Sequence, residues 1–201
     1  MKTDFLKYQA QTSDHPLGLE ISHAQGSYVY DTNDKQYLDF ISGVSANSLG
    51  HNHHVVKKAI IEQLDKYTHV MVYGEYILEP AVDLTKLLAQ HLPPSLQTTY
   101  LVNSGTEAIE GSMKLARRAT GRTEIIYAHN AYHGNTLGSL SVMGFEERKK
   151  AFGPLLPDCN PIQFNSEEDL DKITYAETPL KLNKQLYKLK HSNSGETLTE
   201  I

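Results

Sequence analysis

The sequence predicts an α/β chain in which a small antiparallel unit precedes parallel strands joined by a crossover helix. Three observations carry that expectation. Two aromatic-rich runs flank a polar turn within residues 26–40, and amphipathic helical patterns begin near His53 and at Glu79. Two short apolar runs, 99–102 and 124–127, then bracket a helical stretch through connections of a few residues. That β-α-β order brings two strands parallel through a right-handed crossover. With 201 residues, 39% hydrophobic and 21% charged, the chain has the composition of a globular protein and enough length for one ordinary core plus a small appendage.

Each element has a local cause. In residues 26–40 the aromatic and β-branched side chains suit a pleated surface, while Asp and Asn tolerate turn geometry, which predicts a hairpin. From His53 onward, Val56, Ala59, Ile60 and Leu64 share one helical face and Lys57, Lys58 and Glu62 the other. A second helix is expected over residues 79–92: Pro80 is tolerated in a first turn, Leu84, Leu87 and Leu88 form the apolar stripe, and Pro93-Pro94 stops it. Next come a strand at 99–102, a helix at 104–119 and a strand at 124–127. Ser104 and Glu107 stand in capping-box relation, Arg117 and Arg118 suit the negative end of the dipole, and Gly121 is the natural C-cap. A weaker helix near 145–152 and a capped acidic turn at 166–173 follow. Residues 175–201 are polar and lysine-rich and lack an apolar strand; a flexible tail is expected there, with a marginal helix through Leu182, Leu186 and Leu189 as the alternative. The sequence has no internal repeat.

Charge and composition exclude several classes. A net charge of -5 opposes nonspecific nucleic-acid binding, which draws its affinity from Lys and Arg on phosphates. The basic run 148–150 reads as a solvated helix face. No stretch approaches the roughly 18 apolar residues of a membrane span, and no uninterrupted apolar run follows the first lysine, so neither membrane nor signal peptide is expected and the cytoplasm is the default location. The single cysteine, Cys159, rules out an internal disulfide and reads as a loop residue, with a nucleophile as the alternative.

Two stretches could carry chemistry. Ser104-Gly105-Thr106-Glu107 is a helix cap on its face. A helix that starts directly after a parallel strand, however, aims unpaired amides and positive dipole into the crevice at the sheet's carboxyl edge, where phosphates bind. Gly105 permits close approach and Thr106 adds a hydroxyl. The segment 130–136 follows the next strand at the same edge, and its Tyr132-His133-Gly134 could stack on a planar ring. A metal site is the competing chemistry: His51, His53 and His54 form one cluster, and His129 and His133 are four apart.

Together, residues 103–108 (Asn-Ser-Gly-Thr-Glu-Ala), Tyr132-His133-Gly134, Leu49-Gly50-His51-Asn52-His53, residues 26–31 and residues 37–40 resemble the class III pyridoxal-phosphate aminotransferases, of the acetylornithine and ornithine aminotransferase type. The likeness runs in order from about residue 15 to about 174 and implies the N-terminal part of the fold type I transferases. Residues 1–70 would be the start of the small domain with its connecting segment. Residues 71–174 would be the first part of the large cofactor domain, with the first half of a mainly parallel sheet flanked by helices. Residues 175–201 would be a divergent tail. The resemblance implies pyridoxal 5'-phosphate as cofactor, an amino donor and a 2-oxo acid as substrates, and a homodimer in the complete family member. It places the phosphate on the amides of Gly105 and Thr106 with Ser104 beside them, and the ring against Tyr132, with His133 and Gly134 shaping the pocket. Residues 45–47 and 71–73 look like parts of the substrate channel.

The departures are as specific. The family's Schiff-base lysine and the aspartate that pairs with the ring nitrogen have no counterpart in a comparable context here. A truncated or frameshifted product with little or no activity is therefore expected, since both groups are needed for the chemistry. A noncatalytic cofactor-binding or subunit-interaction fragment is the alternative.

Overall fold

The computed structural model describes residues 1–171 and 173; the expected tail at 175–201 lies outside the described residues. The chain divides into two compact units, the first ending at Leu78 and the second starting at Glu79.

The first unit opens with α1 (Lys2–Tyr8) and a three-stranded antiparallel sheet, β1 (Ile21–Gln25), β2 (Tyr28–Asp31) and β3 (Gln36–Leu38), in the order β1-β2-β3. The expected hairpin is β2-β3, with Tyr28 opposite Leu38 and Val29 opposite Tyr37. Its turn is set by Asp31, whose carboxylate accepts from the Asn33 amide at 2.8 Å, the Lys35 amide at 3.0 Å and the Tyr37 hydroxyl at 2.9 Å. β1, paired with β2, was not among the expected elements, because Ile-Ser-His-Ala-Gln lacks the apolar alternation that marks a strand.

Asp39 is the second anchor. Its carboxylate accepts from the Ile41 and Ser42 amides, both at 2.9 Å, and pairs with His51 Nε2 at 2.7 Å. His51 also exchanges backbone bonds with Gly26. The 26–31, 37–40 and 49–53 motifs are thus clasped together. Between them lies α2 (Ser42–Ser45), a left-handed turn in which Gly43 and Val44 have φ of 61° and 60°. The hydrogen bond from His51, followed by the Ser42 amide, holds the Asp39 carboxyl below its ordinary value of 3.8. A depressed carboxyl stabilises the fold while ionised, so its contribution is present above that value and lost as the pH falls through and below it. Asp39→Asn should therefore weaken the first unit at neutral pH and flatten its loss of stability on acidification. Urea midpoints of the β1–β3 amide signals between neutral pH and about pH 3 test this; an unchanged acid limb in the variant would refute it.

Two amphipathic helices form where their stripes predict, α3 (His54–Lys66) in the first unit and α4 (Glu79–His91) at the start of the second. Their apolar faces are exposed, however: Ile60 and Leu64 are 54% and 55% accessible, and Leu84 and Leu87 are 46% and 53%.

The second unit continues with α5 (Gly105–Thr120), β4 (Ile125–Ala128), α6 (Leu137–Ser141), α7 (Glu146–Lys149), a 3-10 turn at Lys150–Phe152, β5 (Cys159–Ile162) and α8 (Glu167–Asp171). The acidic turn is capped as expected, Ser166 Oγ accepting from the Asp169 amide at 3.2 Å. Parallel pairing is present but shifted along the chain. Residues 99–102 pair with no strand among the described residues, whereas β4 pairs in parallel with β5, Ile125 opposite Cys159 and Ala128 opposite Ile162. Cys-Asn-Pro-Ile is a weak strand signal because proline cannot donate to a ladder. Met113 of α5, Tyr127 of β4 and Val142 form the core, with Ile109, Ile125 and Cys159 packed against it.

Two side chains depart from expectation here. Cys159 opens a strand rather than sitting in a loop, and burial pushes its thiol pKa up, which opposes a nucleophilic role. Lys149 is not simply solvated: its Nζ donates to the Tyr127 hydroxyl at 2.8 Å and to Glu146 at 2.9 Å. Among the described residues, no helix is long and apolar enough to cross a membrane.

Candidate functional site

The site is built on the start of α5. Ser104 is its N-cap, extended at φ -156°, and its hydroxyl accepts from the Glu107 amide at 3.2 Å. The Ala108 amide bonds to the Ser104 carbonyl. Glu107 reaches back one residue further than a standard capping box, accepting from the Asn103 amide at 3.0 Å. First-turn amides have no partner within their own helix. Those of Glu107 and Ala108 are taken by Ser104, which leaves Gly105 and Thr106 without a partner among the described residues. A Cβ at Gly105 would meet nothing within 4 Å, so the backbone is uncovered on that side at the positive end of a 16-residue helix. Gly121, at φ 68°, closes the other end and bonds to the Arg117 carbonyl.

The loop after β4 supplies the second wall. It is pinned at its base, where the Asn130 amide bonds to the Gly144 carbonyl at 3.1 Å and the Gly144 amide to the Ala131 carbonyl at 2.8 Å. Tyr132 is 56% accessible, its phenol oxygen accepting from Asn135 Nδ2 at 3.1 Å. His133 is half-buried beside it. Gly134 is buried at φ 127°, and a Cβ there would overlap the side chains of Thr106 and Ser139. The two sequence-predicted motifs therefore meet, Gly134 lying directly on Thr106.

The contact also changes what Thr106 offers. Its hydroxyl lies 2.7 Å from Ser139 Oγ and 3.0 Å from Thr136 Oγ1; engaged by the loop, it leaves the amide as this residue's contribution to an anion. Ser104 likewise uses its hydroxyl as the cap. Three polar residues of this seam, Glu110, Thr136 and Ser139, were not among the expected site residues. Glu110 had one signal, being four residues after Thr106 and so on the same helical face.

The substrate-channel candidates and the 51–54 histidines belong to the first unit. Residues 45–47 lie at the left-handed turn and residues 71–73 are exposed. His51 is held by Asp39, and His53 stacks on His54 with ring centroids 5.1 Å apart. Among the described residues no group of three or more His, Cys, Asp or Glu is placed to hold a metal ion.

The start of α5 and the loop after β4 thus bring two unpartnered amides and an exposed aromatic to one place in an α/β fold. The profile of the aminotransferase class-III family matches residues 8–199, so the chain belongs to that family, and the match continues past residue 174, where the sequence likeness was expected to end. An acetylornithine aminotransferase from Archaeoglobus fulgidus is 38% identical over 159 residues, covering 79% of this chain and 41% of its own length. Among solved structures, the adenosylmethionine-8-amino-7-oxononanoate aminotransferase of Methanocaldococcus jannaschii superposes with a TM-score of 0.75 at 28% identity, over 85% of this chain and 42% of that one. The ornithine aminotransferase of Toxoplasma gondii, whose active site holds pyridoxal phosphate at partial occupancy, has a TM-score of 0.70 at 26% identity, over 84% and 40%. The fold is that of the type I transaminases, and this chain spans about two fifths of the length of such relatives.

Proposed function

We propose that these residues form the phosphate- and ring-binding part of a pyridoxal-phosphate site in an enzyme that moves an amino group from an amino acid or amine to a 2-oxo acid. The observation that carries this reading is the meeting of Gly134 with Thr106, which sets the Tyr132 loop beside the open amides of α5. The residues fit the group. Gly105 and Thr106 offer two N–H donors and a dipole to a phosphate, Ser104 keeps that end of the helix capped, and the exposed Tyr132 supplies an aromatic ring for stacking. When bound, pyridoxal phosphate supplies an electron sink for the carbon that loses or gains the amino group. This chain's residues bind and orient it. No lysine of this sequence lies in the family's Schiff-base context, so the 201 residues alone are proposed to bind cofactor without appreciable transamination.

Titration of the whole chain with pyridoxal phosphate, followed by absorbance and tyrosine fluorescence, tests the reading. Saturable binding that inorganic phosphate competes away is expected, and its absence would sink the proposal. Turnover of an amino donor with 2-oxoglutarate at a rate typical of the family would refute the inactivity. Tyr132→Leu should weaken pyridoxal phosphate about fivefold through lost stacking while leaving inorganic phosphate binding unchanged. Equal weakening of both would place Tyr132 outside the ring site.

The exposed apolar faces of α3 and α4 favour an added role in association, as the homodimer of the family would require. Size-exclusion chromatography of the chain alone and with a complete family subunit tests it; a monodisperse monomer in both runs would exclude it.

A further inference from the structure

We infer that Glu110 is a positioning residue of this site: its carboxylate holds the loop carrying Tyr132 in register with the helix end that offers the phosphate-binding amides. The inference rests on the cofactor reading above and deepens it.

Glu110 lies one turn after Thr106 on the same face of α5. Its Oε1 accepts from the Ser139 amide at 3.1 Å and from the Thr136 hydroxyl. An ionised carboxylate only accepts, so the single hydroxyl proton of Thr136 is committed to it. Thr136 Oγ1 can then only accept from its hydroxyl neighbours, Thr106 at 3.0 Å and Ser139 at 2.9 Å, which themselves lie 2.7 Å apart. Ser139 Oγ in turn accepts from the Thr136 amide at 3.1 Å. The Ser139 hydroxyl also reaches the Thr136 carbonyl at 3.2 Å; what the carboxylate fixes is the Thr136 hydroxyl, which it turns into an acceptor for the cluster around Thr106.

Space enforces the arrangement. Ser139 is fully buried, so water cannot replace a lost partner without opening the seam. A Cβ at Gly138 would fall on the Glu110 carboxylate, so the absence of a side chain there is what lets the carboxylate reach the first turn of α6. Glu110 stands five positions after Gly105, about 7.5 Å along the helix axis, and its Oε1 is engaged by Thr136 and Ser139. It acts through Thr136, Ser139 and the loop.

The test compares Glu110→Ala, Glu110→Gln and Gly138→Ala with the unaltered chain, using inorganic phosphate and pyridoxal phosphate as probes. Hydrogen exchange at the Ser139 amide reports the seam, and induced circular dichroism of the bound pyridine ring reports its orientation. Glu110→Ala and Gly138→Ala should speed Ser139 exchange, abolish the ring dichroism and weaken pyridoxal phosphate about tenfold, with phosphate binding kept within about twofold. Glu110→Gln, whose side-chain oxygen accepts the same two bonds, should retain the dichroism. Faster exchange with unchanged dichroism and affinity overturns the positioning role and leaves a merely structural one. Parallel loss of both ligands in Glu110→Ala and Gly138→Ala also overturns it. Should Glu110→Ala not fold, Gly138→Ala against Glu110→Gln decides, and equal dichroism in those two overturns the role. An unaltered chain that binds neither probe overturns the cofactor reading, and positioning with it; normal binding with unaffected variants overturns positioning alone.

Discussion

Gly134→Ala is expected to cost the second unit about 3 kcal/mol and to weaken pyridoxal phosphate by more than about tenfold. Two penalties coincide at this residue. At φ 127° the backbone lies where only glycine is comfortable, which costs any other residue about 1–3 kcal/mol. The added methyl also has to enter space held by Thr106 and Ser139, and overpacking of a filled site costs a similar amount. Because the collision falls on the contact between loop and helix, relief comes by moving Tyr132 away from the amides, so ligand affinity falls with stability. Urea unfolding and ligand titration of the same samples measure both. Gly111→Ala is the control: its Cβ would meet only the Tyr100 ring, at 3.9 Å, and alanine in a helix interior is favoured by about 0.5–1 kcal/mol. A Gly134→Ala protein as stable as Gly111→Ala would show that the loop does not rest on α5.

Gly105→Asp should separate affinity from stability. The space before Gly105 is open, so the side chain fits, and a carboxylate in the first turn favours the helix dipole by about 0.3–1 kcal/mol. The same carboxylate occupies the place of a phosphate and repels it; near a surface, two like charges about 4 Å apart oppose each other by several kcal/mol. Binding of phosphate and of pyridoxal phosphate should therefore drop by about two orders of magnitude with the unfolding midpoint unchanged or raised. Retained binding would place the anion elsewhere. Where Gly134→Ala harms the fold and the site together, Gly105→Asp should harm the site alone.

Local signals were legible wherever the physics is local. Ser104 caps α5 and Gly121 ends it because the capping side chain and the left-handed residue act within a few positions of themselves. The β2-β3 hairpin formed where Asp31 could tie its own turn. Strands were less legible, since a strand exists only through its partner: residues 99–102 look apolar enough yet pair with nothing among the described residues, while proline-containing β5 pairs with β4. Histidines in a row suggested a metal, but His51 answers to Asp39, twelve residues away, a pairing that spacing does not announce.

The sequence by itself determined the α/β class, the helix whose open end could take an anion, and, through its ordered motifs, the aminotransferase resemblance. Only the tertiary structure decided how the two halves of the site meet. Thr106 and Gly134 are 28 positions apart, and nothing in the spelling of either says that one lacks a side chain because the other fills the space. Nor does it say that the Thr106 hydroxyl turns to Ser139 and Thr136 rather than to a ligand, or that Glu110 closes that chain. Helix caps follow from the torsions and donors of adjacent residues, whereas close packing and hydrogen-bond direction depend on which atoms the folded backbone brings within about 3 Å of one another.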